Sequence, residues 1–155
     1  MTDRLVTGLV PPVPARAVAP APRPVSVSPP PLATLVQRGR LQYGMGRIDA
    51  SGRVSDKSLL HVLGWSPGQR LGITVLHQAV VVFPDPAGVF TLSPGHYVVL
   101  PAAVRRRCGL CPRDRVLLAA DPGHRVLVLH PTAALDRMLI AYHTSLTGGG
   151  PDDHR

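Results

Sequence analysis

The chain has 155 residues, seventeen of them Lys or Arg against nine acidic ones, for a formal charge of +8. That length holds one ordinary domain or two very small ones, and a basic excess of this size favours a polyanionic partner, of which nucleic acid is the commonest. Residues 1–10 lack the apolar run of a signal peptide, and no stretch reaches the ~18 apolar residues of a membrane span, so a cytoplasmic protein without membrane contact is expected.

The first segment, residues 1–40, holds nine of the eighteen prolines between Pro11 and Pro31. Proline removes backbone donors and fixes φ, so a polyproline-like or disordered arm is expected there. The next segment, 41–86, opens with Gly46 to Asp49, a turn at Ala50-Ser51-Gly52 and a return through Arg53 to Ser55, the pattern of a β-hairpin. Asp56 caps a helix over Lys57 to Leu63, with Leu59, Leu60 and Leu63 on one face and Gly64 at its C-terminal end. Ser66-Pro67-Gly68 turns into two β-branched runs, Arg70–Leu76 and Ala79–Phe83, joined at His77-Gln78.

Residues 87–131 repeat this order. Val89 to Leu92 and Tyr97 to Leu100 flank a Ser93-Pro94-Gly95 turn, Pro101 occupies a first-turn position of a helix over Ala102 to Cys108, and Gly109 ends it. Runs at Arg115–Ala120 and Arg125–His130 follow, separated by Asp121-Pro122-Gly123. Gly64 to Leu71 recurs as Gly109 to Val116, 45 residues later. A ββαββ unit used twice predicts that neither copy buries its apolar face alone. A third helix is expected within 132–147, starting at Thr132 as N-cap, with Leu135, Met138, Leu139, Tyr142 and Leu146 in one stripe suited to core or dimer packing. A frayed tail, 148–155, completes the chain.

Cys108 and Cys111 form a lone C-x-x-C without the further ligands that structural zinc requires. The repeat aligns Cys108 with Leu63 and Cys111 with Ser66, so a buried apolar position and a turn position are expected. The aspartates sit mostly beside Gly or Pro, as turns require, and no nucleophile motif, P-loop or zinc-protease motif is present. No enzyme activity, cofactor or metal is expected.

Two sets of residues together resemble the AbrB/MazE/SpoVT family of swapped-hairpin DNA-binding domains. Gly46-Arg47-Ile48-Asp49-Ala50-Ser51-Gly52-Arg53-Val54 and Leu63-Gly64-Trp65 match the front of the family pattern. Val98 to Leu110, with its Leu100-Pro101 step, and Arg113-Asp114-Arg115-Val116 match the back. The resemblance covers 44–131 and implies a mainly β, α+β fold: two tandem units forming a swapped-hairpin barrel, as an intrachain pseudo-dimer, plus the C-terminal helix.

The resemblance also implies double-stranded DNA as partner and a bacterial, nucleoid-associated transcriptional regulator. Basic residues on the first hairpin and short helix carry the contact in that family, which here means Arg47, Arg53 and Lys57 from unit one and Arg105, Arg106 and Arg107 from unit two. Arginine suits the task, because its planar fork bridges phosphate oxygens or the guanine edge. The rival expectation is an antitoxin-like or adaptor module that engages a protein through the Pro-rich arm or the C-terminal helix. A homodimer is compatible with either.

Overall fold

A computed structural model of the chain describes residues 40–148. All but the last residue of the expected arm, and the tail beyond Gly148, lie outside the described residues. In chain order the elements are β1 (Gln42–Arg47), β2 (Arg53–Val54), α1 (Lys57–Val62), β3 (Arg70–Leu76), β4 (Ala79–Pro84), β5 (Phe90–Thr91), β6 (Val98–Val99), α2 (Ala102–Cys108), β7 (Arg115–Asp121), β8 (Val126–Pro131) and α3 (Thr132–Thr147). The fold is mainly β with a few helices.

Local chemistry explains most boundaries. The Asp56 carboxylate accepts the Leu59 amide at 3.1 Å and starts α1, while Gly64, at φ 68°, ends it. His77 and Gln78 both take positive φ, as a two-residue hairpin turn between β3 and β4 demands. Gly109, at φ 64°, closes α2. Pro101 takes the cap position of α2 and not its first turn. Thr132 is likewise the first helical residue of α3 and not its cap; Pro131 precedes it and makes no side-chain cap bond.

The strand pairing corrects one expectation. β1 and β2 do not form a ladder with each other, and neither do β5 and β6. Six strands lie in the order β1-β7-β8-β4-β3-β5, and β2 pairs with β6 in a separate ladder. The first strand of each unit is therefore exchanged: β1 runs antiparallel to β7 from Gln42↔Ala120 to Arg47↔Arg115, and β5 pairs with β3 at Arg70↔Thr91 and Leu71↔Phe90. An approximate twofold relates the halves, with β4 against β8 at the centre of the sheet. β1 and β5 are its two edges, so the six-stranded sheet is open.

The main core draws on both units. Ile48, Val54, Leu60 and Leu71 meet Val98, Leu100, Val116 and Leu129, all at most 1 % exposed. Val81, Phe83, Val126 and Val128 form a second cluster on the opposite face. The stripe expected on α3 is not core: among the described residues only Ala134 of α3 is buried, while Met138, Leu139, Tyr142 and Leu146 are exposed.

Two consequences are measurable. A Cβ at Gly44 would run into the Asp56 carboxylate and lie 3.1 Å from the Leu59 Cδ1. Gly44→Ala should therefore disturb the α1 cap and cost about 1–2 kcal/mol in urea unfolding. His130, half-buried just before α3, is held below the ordinary histidine range by burial. The unfolded chain then protonates first, so its contribution is full above the unfolded value of about 6.5 and is lost as pH falls below it. Stability against pH should show that decline, and His130→Gln should flatten it.

Candidate nucleic-acid interface

The basic residues divide according to what their side chains already hold. Arg105 occupies the α2 position that corresponds to buried Leu60 in α1, and it stays half-buried. Its Nε donates to the Leu100 carbonyl at 3.1 Å, and its side chain lies where a Cβ on Gly52 would be, 2.7 Å from that ideal position. Gly52 sits at φ 78°, and its carbonyl accepts the Leu100 amide at 2.8 Å. Arg105 thus ties the unit-two helix to the unit-one turn. Arg125 does similar work elsewhere: its Nε donates to the Leu63 carbonyl at 3.2 Å, at the C-terminal end of α1. Arg70 donates to the Gly88 carbonyl at 3.4 Å.

Around the same turn, Asp49 accepts the amides of Ser51 and Arg53, each at 2.8 Å. The Arg53 amide bond above all holds the Asp49 carboxyl below its ordinary range, with the Arg53 and Arg105 charges adding to it. Arg53 Nε stands 3.7 Å from Asp49, and its guanidinium lies 6.0 Å from the centre of the Tyr97 ring. Tyr97 holds the corresponding place in the other unit, where Ser93 Oγ accepts the Tyr97 amide at 2.9 Å. Arg53 therefore sits where the two halves face each other.

Arg47 belongs to a different group. It stands directly opposite Arg115 across the β1–β7 ladder, and both are exposed. Exposed Arg113 is held beside them, its amide donating to the Ile48 carbonyl at 2.7 Å. Like charges placed opposite in a sheet repel, and no carboxylate pairs with these three among the described residues. An anion is the natural complement of such a cluster. Lys57 and Arg106 are exposed on α1 and α2. Arg107 diverges from its neighbours and lines a groove with Ile73, Thr74 and Val75 of β3.

The structure thus gathers Arg53 and Arg105 about one turn, puts Arg47 at a neighbouring strand end and Lys57 on α1, and leaves Arg106 and Arg107 exposed on α2 beside Arg105. Arg113 and Arg115 were missed as site residues, because the sequence pattern placed them in a turn motif and the strand exchange that brings them to Arg47 leaves no local trace. Cys108 packs half-buried on the core with its thiol pushed up by burial, and Cys111 is exposed in its turn, as expected. No group of three or more metal-ligating side chains occurs among the described residues. No helix among them is long and apolar enough to cross a membrane.

No protein-family model matches the chain, and a search of curated proteins finds no match either.

The division among arginines predicts unequal effects on stability. Arg105→Ala removes a part-buried hydrogen bond and the cover over Gly52, and should cost about 1 kcal/mol in urea unfolding. Arg106→Ala, one residue on, should change stability by less than about 0.5 kcal/mol.

Proposed function

We propose that this chain binds double-stranded DNA as an AbrB/MazE/SpoVT-like protein, with its two units serving as the two halves of a swapped-hairpin pseudo-dimer, and that it acts as a bacterial transcriptional regulator. The observation that carries the proposal is the Arg47–Arg115 pair with Arg113 beside it, three exposed guanidinium-bearing residues placed together by strand exchange and matched by no carboxylate among the described residues. A stable fold tolerates such a cluster most readily where a polyanion binds it. Arg53 extends this basic surface at the pseudo-twofold, and Lys57 and Arg106 supply further phosphate contacts from the helix starts and faces. Arg105 acts as a brace that sets the Gly52 turn, and Arg107 stands apart in its groove.

One observation favours a second function beside the first. Leu139, Ile140, Tyr142 and Leu146 on α3 are 54–65 % exposed, far more apolar surface than a short solvent-facing helix needs. This supports a protein partner, or a second copy of the chain, on α3, as an antitoxin-like or adaptor role would require.

Anisotropy of a labelled duplex at several salt concentrations tests the DNA proposal. Binding should weaken with salt at a slope of about −0.9 per phosphate contacted, and Arg47→Ala/Arg115→Ala should reduce the magnitude of that slope by about 2. The same double variant should unfold at an unchanged or higher urea midpoint, because it relieves a like-charge pair. Absence of salt-sensitive binding by the folded protein overturns the proposal and leaves α3 as the working surface.

A further inference from the structure

The C-terminal helix α3 is held to the body along one face only. Ala134, Arg137, Met138 and Ala141 line a groove beside the β3–β4 turn, and Arg137 donates to the Gln78 side chain there. A second face carries Leu135, Leu139, Tyr142 and Leu146, at successive spacings of four, three and four residues. With 3.6 residues per turn these four fall within about 60° of one another, and roughly 120° from the groove-facing set. Leu139, Tyr142 and Leu146 are 54–60 % exposed and Leu135 is half-buried. Of the sixteen residues of α3 only Ala134 is buried. Helices of this length are marginal in water unless an apolar face is covered, so the outward face calls for a partner.

The spacing says what kind of partner fits. A 4-3-4 succession is the seam of a heptad repeat, by which one helix packs along another. It also reads the same in both directions, so the seam complements a reversed copy of itself. About a twofold axis between Leu139 and Tyr142, Leu139 meets Tyr142 of a second copy and Leu135 meets its Leu146.

The residues flanking the seam suit the same arrangement. Asp136 and His143 lie along one edge, and the His143 ring stands edge-on to Tyr142 with centres 5.7 Å apart. Reversal brings the Asp136 carboxylate of each copy alongside the His143 imidazole of the other, an acceptor beside a donor, twice per pair. Met138 and Ser145 flank the other edge without charge, so no like charges meet. A parallel pair would instead set two bodies of a chain with formal charge +8 side by side. The antiparallel pair holds them at opposite ends of helices about 24 Å long.

We propose that α3 is the self-association surface of this chain and pairs with α3 of a second copy as an antiparallel two-helix seam. This rests on the reading of α3 as a partner surface and is independent of DNA contact. One seam of this length buries less than the ~1,600 Å² of a standard interface, so the dimer is a micromolar one. The interface is isologous, and the particle carries two copies of the Arg47–Arg115 face.

Sedimentation equilibrium of the full chain from about 1 to 300 µM tests this. A monomer–dimer equilibrium should appear. Leu139→Glu/Leu146→Glu should weaken it about tenfold or more with the urea midpoint unchanged. Asp136→Arg should also weaken it, and adding His143→Asp to that variant should restore it. Orientation is read in a Cys108→Ser/Cys111→Ser background. A disulfide should form on oxidation when chains carrying Leu135→Cys and Leu146→Cys are mixed, and with neither alone. Cross-linking of Leu146→Cys to itself overturns the antiparallel seam, and a dimer indifferent to Leu139→Glu/Leu146→Glu overturns the surface. A chain that stays monomeric throughout overturns the proposal. Lysate capture lost in Leu139→Glu/Leu146→Glu would then keep α3 as the surface for a different protein, and no such capture would retire that reading as well.

Discussion

The pairing of β1 with β7 is the constraint on which the rest depends. It takes the first strand out of its own unit and makes it the edge of the other, and β5 does the same in reverse. Neither unit then owns a complete sheet or a complete core. Ile48 and Val54 are buried against Val98, Leu100 and Val116, so removing one unit would strand the apolar face of the other. The two short strands β2 and β6 are each other's sole ladder partner among the described residues, so each depends on the other unit. Covalent linkage turns what is a second-order assembly in two separate chains into a local closure, and it frees the halves to diverge in sequence.

That divergence explains the arrangement of charge. Backbone positions inherited from a repeat oblige some arginines to be structural: Arg105 stands on the inward face because Leu60 does, and it satisfies the burial by bonding the Leu100 carbonyl. Arg125 serves the carbonyl end of α1, where a cation is favoured by the helix dipole. Arg47 and Arg115 are under no such obligation. They face each other because the register of exchange makes them neighbours, at a cost that substitution by any neutral residue would remove. The Arg47–Arg115 pair does nothing to hold the fold, whereas the half-buried, bonded Arg105 braces it.

Much of this was legible in the sequence and some was not, for identifiable reasons. Asp56, Gly64, Gly109 and the His77-Gln78 turn act through bonds and dihedrals within a few residues, so α1, α2 and the β3–β4 hairpin stand close to where their residues predict them. The expected front hairpins fail because a Gly-containing turn specifies a change of direction and not a partner. The partner is decided by packing far along the chain, at Gln42↔Ala120 and its neighbours. The shortness of β5 had a local signal in Asp85-Pro86-Ala87-Gly88, a turn sequence directly before the expected Val89 to Leu92 strand. Of the candidate contacts, the exposed ones were visible from composition and resemblance. The inward turn of Arg105 was visible too, had it been aligned on Leu60. The approach of Arg113 and Arg115 to Arg47 was not, since it exists only after exchange.

A one-residue difference between the units sets the final asymmetry. Val54-Ser55-Asp56 in unit one corresponds to Val98-Val99-Leu100-Pro101 in unit two, and the front turns lie one residue closer than the helices do. In unit two the extra length lets the Leu100 amide reach the Gly52 carbonyl; in unit one the Ser55 hydroxyl reaches the His96 carbonyl instead, at 2.7 Å. Both turns are thereby fastened across the pseudo-twofold, but through different atoms. Gly52 leaves open space that Arg105 fills, whereas His96 carries a side chain at the matching place. The basic turn is consequently built on one side only. Under the DNA-binding proposal, a target met by a single chain through this face has no reason to be palindromic, and twofold symmetry in a target would have to come from pairing two chains.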